Sequence, residues 1–200
     1  MSSTGDLSAA PAAFLTALAA LRRAQCRPEL NLAELPAPSK LAPYAVALEA
    51  VVTGSATGLA GDPDTELATG RFILLYDPQG QEVWGGDFRI VTYIRAELEA
   101  DIGKDELLGS VAWAWLVEAL ENHCTGYHNA GGTATRILSQ SFGTMAGSQD
   151  AVNIELRASW TPDSADVQAH LEAWSEMVCT FAGLPPLPDG VLSLPNRRRN

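Results

Sequence analysis

The chain has 200 residues, 46% apolar and 18% charged, with a formal charge of −11. A chain of that length and composition buries a substantial core and is expected to be globular. The acidic balance excludes nonspecific binding to nucleic acid or an anionic membrane surface, which needs clustered Lys and Arg.

The one basic run, Arg197-Arg198-Arg199, reads as a solvated tail. No apolar run reaches the roughly 18 residues of a membrane span. Arg22-Arg23 interrupts the first apolar segment, so the N-terminus does not read as a secretory leader. Cys26, Cys124 and Cys179 are odd in number and scattered, which fits a reducing cytoplasm better than a disulfide framework.

Residues 1–10 are small and polar and are expected to be flexible. Pro11 suits a first helical turn, and Phe14, Leu15, Leu18 and Leu21 recur at helical spacing to near Ala24. Pro28, Pro36, Pro38 and Pro43 make the next segment an extended crossing. Tyr44 to Thr53 alternates as a strand, although its alanines also suit a helix; strand is the favoured reading. Residues 54–70, with four glycines and three acids, read as a surface loop.

Arg71 to Tyr76 is a compact buried strand, and Asp77-Pro78-Gln79-Gly80 has turn chemistry. The return strand is expected over Glu82 to Arg95, with Gly85-Gly86 marking a bulge or bend. Asp105 to Cys124 reads as an amphipathic helix with two apolar faces. One carries Leu108, Val111, Ala112, Trp115 and Ala119, the other Trp113, Val117, Leu120 and Cys124. After a glycine-containing connection over Tyr127 to Gly132, Thr133 to Phe142 and Ala151 to Trp160 form a hairpin. In the second of these strands Val152, Ile154, Leu156, Ala158 and Trp160 point inward, and Asn153, Glu155, Arg157 and Ser159 outward. Thr161-Pro162-Asp163-Ser164 then supplies an N-cap, Val167 to Phe181 a final helix, and Gly183 its terminator.

The order α-β-β-β-α-β-β-α implies an α+β fold: a mainly antiparallel five-stranded sheet with helices on one face. Residues 11–195 are read as one domain and 196–200 as a tail.

Candidate sites divide into those a plainer reading absorbs and one that it does not. Asp62-x-Asp64-x-Glu66 lacks the glycine and the closing glutamate of a calcium loop and reads as an acidic surface loop. His123, Cys124 and His128 lack paired zinc-ligand spacing, so no metal or other cofactor is expected. No nucleophile elbow or Cys–His signature occurs, and Gly131-Gly132-Thr133 reads as a plain turn. Leu184-Pro-Pro-Leu-Pro188 reads as an arm closing over the core, with a polyproline ligand as the other reading. The set that stays open is Arg71, Arg89, Arg136, Glu155 and Arg157, all within strands. Cross-strand pairing of Glu155 with an arginine explains it at about 0.2–1 kcal/mol. The functional reading is a groove that holds an acidic peptide or carboxylate through bidentate guanidinium contacts.

ELATGRFILLYDP, DFRIVTYIRAELE, TRILSQSF, IELRASWTP and AGLPPLPDGV resemble the signature blocks of an uncharacterised actinobacterial family, a domain of unknown function, over nearly the whole chain. That resemblance implies no activity, ligand or site residue. The element order alone is similar to that of type III secretion chaperones, which implies a small dimeric protein that binds other polypeptides.

Two functional expectations follow. The first is a non-enzymatic cytoplasmic interaction protein, homodimeric through Trp113, Val117, Leu120 and Cys124, with a protein or peptide partner. The second is a small enzyme or ligand-binding protein with a pocket around Arg89, Arg136, Glu155, Arg157 and His170.

Overall fold

The computed structural model describes residues 10–54, 64–98, 105–123, 126–146 and 151–185. Its helices are α1 (Ala12–Arg23), α2 (Leu108–His123) and α3 (Gln168–Phe181). Its strands are β1 (Leu30–Leu35), β2 (Tyr44–Thr53), β3 (Glu66–Gln81), β4 (Gly86–Leu98), β5 (Tyr127–Ser139) and β6 (Ala151–Pro162). The strands form one six-stranded sheet in the order β1-β2-β3-β4-β6-β5, antiparallel at every pairing. The α+β class and the antiparallel sheet are as the sequence implied.

The sixth strand is the correction. β1 lies in the segment read as an extended crossing. Leu30 is buried, and LNLAEL pairs with β2 from Leu30 opposite Val52 to Leu35 opposite Ala47. An edge strand is bonded on one side only, so the prolines that flank it do not prevent it.

All three helices lie on one face. Residues two apart along a strand share a face, and the helix-side row includes Ala50, Gly70, Phe72, Leu74, Ile90, Ile94, Leu156 and Trp160, all buried. Helix α3 crosses β2, β3 and β4, while α2 covers β5 and β6. The small residues in this row let α3 approach closely: the Trp174 ring sits where a side chain on Gly70 would be. Phe14 of α1 closes the far end over Tyr44 and Tyr76, with ring centroids 5.6 and 5.9 Å away.

Local chemistry explains the other departures. Asp77–Gly80 does turn, but as a bulge inside β3, where Tyr76 pairs with Phe88 and Gln81 with Gly86. The Asp77 carboxylate holds that bulge by accepting from the Gln79 amide at 3.1 Å and the Gln81 side chain at 3.1 Å. The chain reverses at Glu82–Gly85, where Gly85 takes φ +71°. Residues 127–132 are strand rather than connection, with a bulge between His128 and Gly131 that puts Asn129 at φ 51°. Ser164 caps a turn at the Asp166 amide (3.2 Å) instead of the helix, whose N-cap is Val167.

The end of α3 is as expected. Leu184 N–H donates to Cys179 O and Gly183 N–H to Thr180 O, both at 3.0 Å, with Gly183 at φ +79°. These are the paired bonds of a Schellman motif. Leu184, the first residue of the expected arm, then packs on the core.

Arg27 fastens this arm and was not foreseen. It is 7% exposed, grips Glu29 through Nε (3.2 Å) and Nη2 (2.7 Å), and donates from Nη1 to the Pro185 carbonyl at 2.7 Å. Removing one partner of a buried, hydrogen-bonded pair leaves the other charge desolvated. Arg27→Met is therefore expected to cost about 2–3 kcal/mol, read as a lower urea midpoint with an unchanged slope.

Candidate functional site

The face without helices is concave. A trough of about 970 Å³ runs across it, walled by Glu49, Glu66 and Arg71 on one side and by Gly131, Thr133 and Arg157 on the other. Its floor includes Val51, Ile73, Val91 and Tyr93.

Strand register builds the polar centre. Glu49 pairs with Arg71, Arg71 with Tyr93, Tyr93 with Arg157, and Arg157 with Thr133, one residue from each of five strands. With neighbouring strands about 4.8 Å apart, the two arginine backbones are about 10 Å apart, with Tyr93 between them. Tyr93 donates its hydroxyl to Glu155 Oε1 at 2.9 Å, and burial together with that carboxylate pushes the phenol pKa up. Arg157 Nη2 donates to Glu155 Oε2 at 2.7 Å, and the guanidinium lies 5.3 Å from the centre of the Tyr93 ring. Glu155 is buried with both oxygens engaged, so it holds Tyr93 and Arg157 in place. The Arg157 side chain keeps 57% of its exposure and Arg71 60%; Arg71 reaches Glu49 only at 3.9 Å.

Arg89 belongs to this face but is committed. Its Nη1 donates to Asn129 O (2.9 Å) and Thr161 Oγ1 (3.0 Å), and its Nη2 to Ser159 Oγ (2.6 Å). Burial pushes its pKa down. It ties β4 to β6 and to the β5 bulge at one end of the trough. Beside it His128 spends Nδ1 on Asp163 (2.6 Å) and Nε2 on the Gly85 carbonyl (3.3 Å). A histidine with both nitrogens engaged is a clasp between chain segments rather than a base facing a substrate.

Arg136 does not join the set. It pairs with Ile154, which faces the helices, so its side chain is on the opposite side of the sheet. There Nη1 donates to the Asp105 carbonyl at 3.1 Å, just ahead of α2. His170 is also on the helix side, buried and bonded to Trp160.

The strip Trp113, Val117, Leu120 is partly covered within the chain. Leu120 is fully buried, Val117 and Trp113 are half-buried, and the Trp113 ring lies against Gly132 of β5. The other flank of α2 meets α3, where Trp115 stands edge-on to Phe181 at 5.8 Å and His123 pairs with Glu176. The sheet and α3 thus cover part of both apolar faces of α2, leaving Val111 exposed and Trp113, Trp115 and Val117 half-buried. Cys124, Asp62, Pro186, Leu187 and Pro188 lie outside the described residues.

Tyr93, Ser159 and Thr161 are the site residues that sequence reasoning passed over. Tyr93 shared the strand alternation of Arg89 and Arg95, and that parity was the available signal.

These features define an α+β protein with a helix-backed antiparallel sheet and an open face bearing ordered guanidinium groups. The chain belongs to the family described as Protein of unknown function (DUF3000), whose model matches residues 10–192. No curated protein and no solved structure matches the chain.

Proposed function

We propose that the protein is a non-enzymatic binding module that takes an acidic segment of another polypeptide into the trough. Arg71 and Arg157 receive carboxylates, and Tyr93 lies between them as a platform. The cross-strand row Arg71–Tyr93–Arg157 carries this reading, because each arginine side chain is more than half exposed while Glu155 and Tyr93 limit the freedom of Arg157. A guanidinium already ordered loses less entropy when it binds a carboxylate, and its planar fork suits a bidentate contact. In a chain of net −11, four arginines (Arg71, Arg89, Arg95 and Arg157) project from this one sheet face and offset the carboxylates Glu49 and Glu155 beside them. Catalysis is disfavoured because the most firmly placed polar groups of this face, Glu155, His128 and Arg89, are engaged within the fold.

Titrating the protein with synthetic peptides of matched length, acidic or basic, tests the reading. Acidic peptides are expected to shift the amide resonances of Thr69, Val91, Tyr93 and Ser159, and to bind more weakly as salt is raised. Arg157→Glu is expected to weaken that binding by about 10–100-fold. Arg136→Gln, on the other face, should leave it within about twofold. Acidic peptides that move none of these resonances, or that bind Arg157→Glu as tightly, would refute the assignment.

A further inference from the structure

The two edges of the sheet are built differently. Edge β1 has six residues and is followed by Pro36 and Pro38, devices that blunt an edge. Edge β5 has thirteen residues, no proline and one permanently charged side chain, Arg136, and no strand pairs with its outer side among the described residues. A long, flat, little-charged edge is a template for another strand.

Its surroundings are apolar as well. Among the described residues ten large apolar side chains are exposed, and six of them are carried by β5, the segment after it and the start of α2 beside it: Leu107, Val111, Ile137 on the trough face, Leu138 on the helix face, Phe142 and Met145. Leu138 is 58% and Phe142 77% exposed. Such a concentration marks an interaction surface, whereas isolated exposed apolar residues do not.

Charge selects the occupant. Between Glu121 and Asp150 the sequence contains no acidic residue, although the chain as a whole carries −11. Two copies of so acidic a protein repel each other least where carboxylates are sparse; β5 itself carries none, and Arg136 opposes the charge of Asp105 and Glu106, which border Thr135 from just ahead of α2. We propose that β5 is the contact edge for a second copy of this chain, the two strands pairing antiparallel about a two-fold axis so that two six-stranded sheets become one.

The bulge-free stretch Gly131–Ser139 sets the axis at Thr135, its centre. A two-fold there places Gly132 opposite Leu138 of the second copy. Gly132 has no side chain and the Trp113 ring lies against it, so the incoming Leu138 meets that ring edge. Gly131, Gly132 and Thr133 also border the trough, so pairing brings the two troughs to a common seam. The pairing holds whether or not the trough takes an acidic peptide.

Sedimentation equilibrium of the full chain is the test, with twice the 21.2 kDa chain mass as the expected result. Leu138→Glu puts a carboxylate on the edge and should raise the dimer dissociation constant at least about tenfold, with unchanged far-UV circular dichroism. Val83→Glu, at the most exposed apolar residue away from β5, should not change it. Thr135→Cys, with Cys124 replaced by serine, should form a disulfide-linked dimer on oxidation, because the axis brings the two cysteines face to face. That variant carries the test should Leu138→Glu lose its fold. A wild-type chain that sediments as a monomer up to about 100 μM, a Leu138→Glu dimer as tight as the wild type, or a Thr135→Cys chain that stays uncrosslinked would overturn the proposal.

Discussion

Replacing Gly70 with valine is expected to remove about 4 kcal/mol of stability, and replacing it with alanine about 1–2 kcal/mol. Gly70 sits in the middle of β3, where glycine ordinarily weakens a strand and alanine would gain about 0.4–1 kcal/mol by restricting the unfolded chain. Space reverses that sign. A Cβ at Gly70 would lie 2.7 Å from Trp174 Cζ2, 3.0 Å from Val178 Cγ2 and 3.3 Å from the Tyr93 carbonyl. Trp174 is fully buried and wedged against Phe72, with ring centroids 5.6 Å apart, so it cannot swing aside as a flexible chain end would. Its indole nitrogen is buried without a hydrogen-bond partner among the described residues, so shape rather than polar bonding fixes the ring.

That account makes the two sites interdependent. In a Trp174→Phe background, which opens space over the strand, Gly70→Ala should cost at least about 1 kcal/mol less than in the wild type. Urea unfolding of the four proteins in this cycle measures the difference. Strict additivity would mean that the ring is not what excludes a side chain from Gly70.

The same face shows what the sequence could and could not disclose. Alternation within single strands was legible: Phe88, Ile90, Thr92 and Ile94 against Arg89, Val91, Tyr93 and Arg95, then Ile154 and Leu156 against Glu155 and Arg157. Those patterns placed Arg89, Glu155 and Arg157 on outward-facing positions of their own strands. The neighbourhood of β4 and β6 was not legible, because α2 and β5 separate them in the chain and each strand's alternation is satisfied by any partner of the same pattern. The row Arg71–Tyr93–Arg157 exists only once that neighbourhood is known. Arg136 was misplaced for a related reason: TATRILS is mixed on both faces and does not say which residues point inward. The two apolar faces of α2 were visible, but covering them with a second copy and covering them with α3 predict the same residues. β1 was hidden by the prolines around it, since only its pairing with β2 distinguishes it from an extended loop. Helix α3 was the most legible element, because its stripe, its glycine stop and Leu184 agree with one another and with the structure.

Acid should weaken the fold through His170. Its ring is 4% exposed and accepts the Trp160 indole N–H on Nδ1 at 3.2 Å. The bond needs a lone pair on Nδ1, so the folded protein holds the neutral ring protonated on Nε2. Burial is the larger influence and pushes the pKa from 6.5 down to about 4, against the opposing pull of the Asp163 and Asp166 carboxylates. The folded pKa thus lies below the unfolded one, so between these values the unfolded chain binds more protons than the folded one. Stability from this residue is complete above the unfolded pKa and falls as pH drops towards the folded one. The full loss is about 3 kcal/mol, of which about 2 kcal/mol is already gone at pH 5. Carboxylates titrate in the lower part of the same range, so the discriminating measurement is a difference. His170→Gln can still accept from Trp160 but does not titrate, and its urea midpoint should change much less between pH 7 and pH 5 than that of the wild type. Equal changes in the two proteins would show that other groups set the acid response and that His170 is protonated as readily in the folded chain as in the unfolded one.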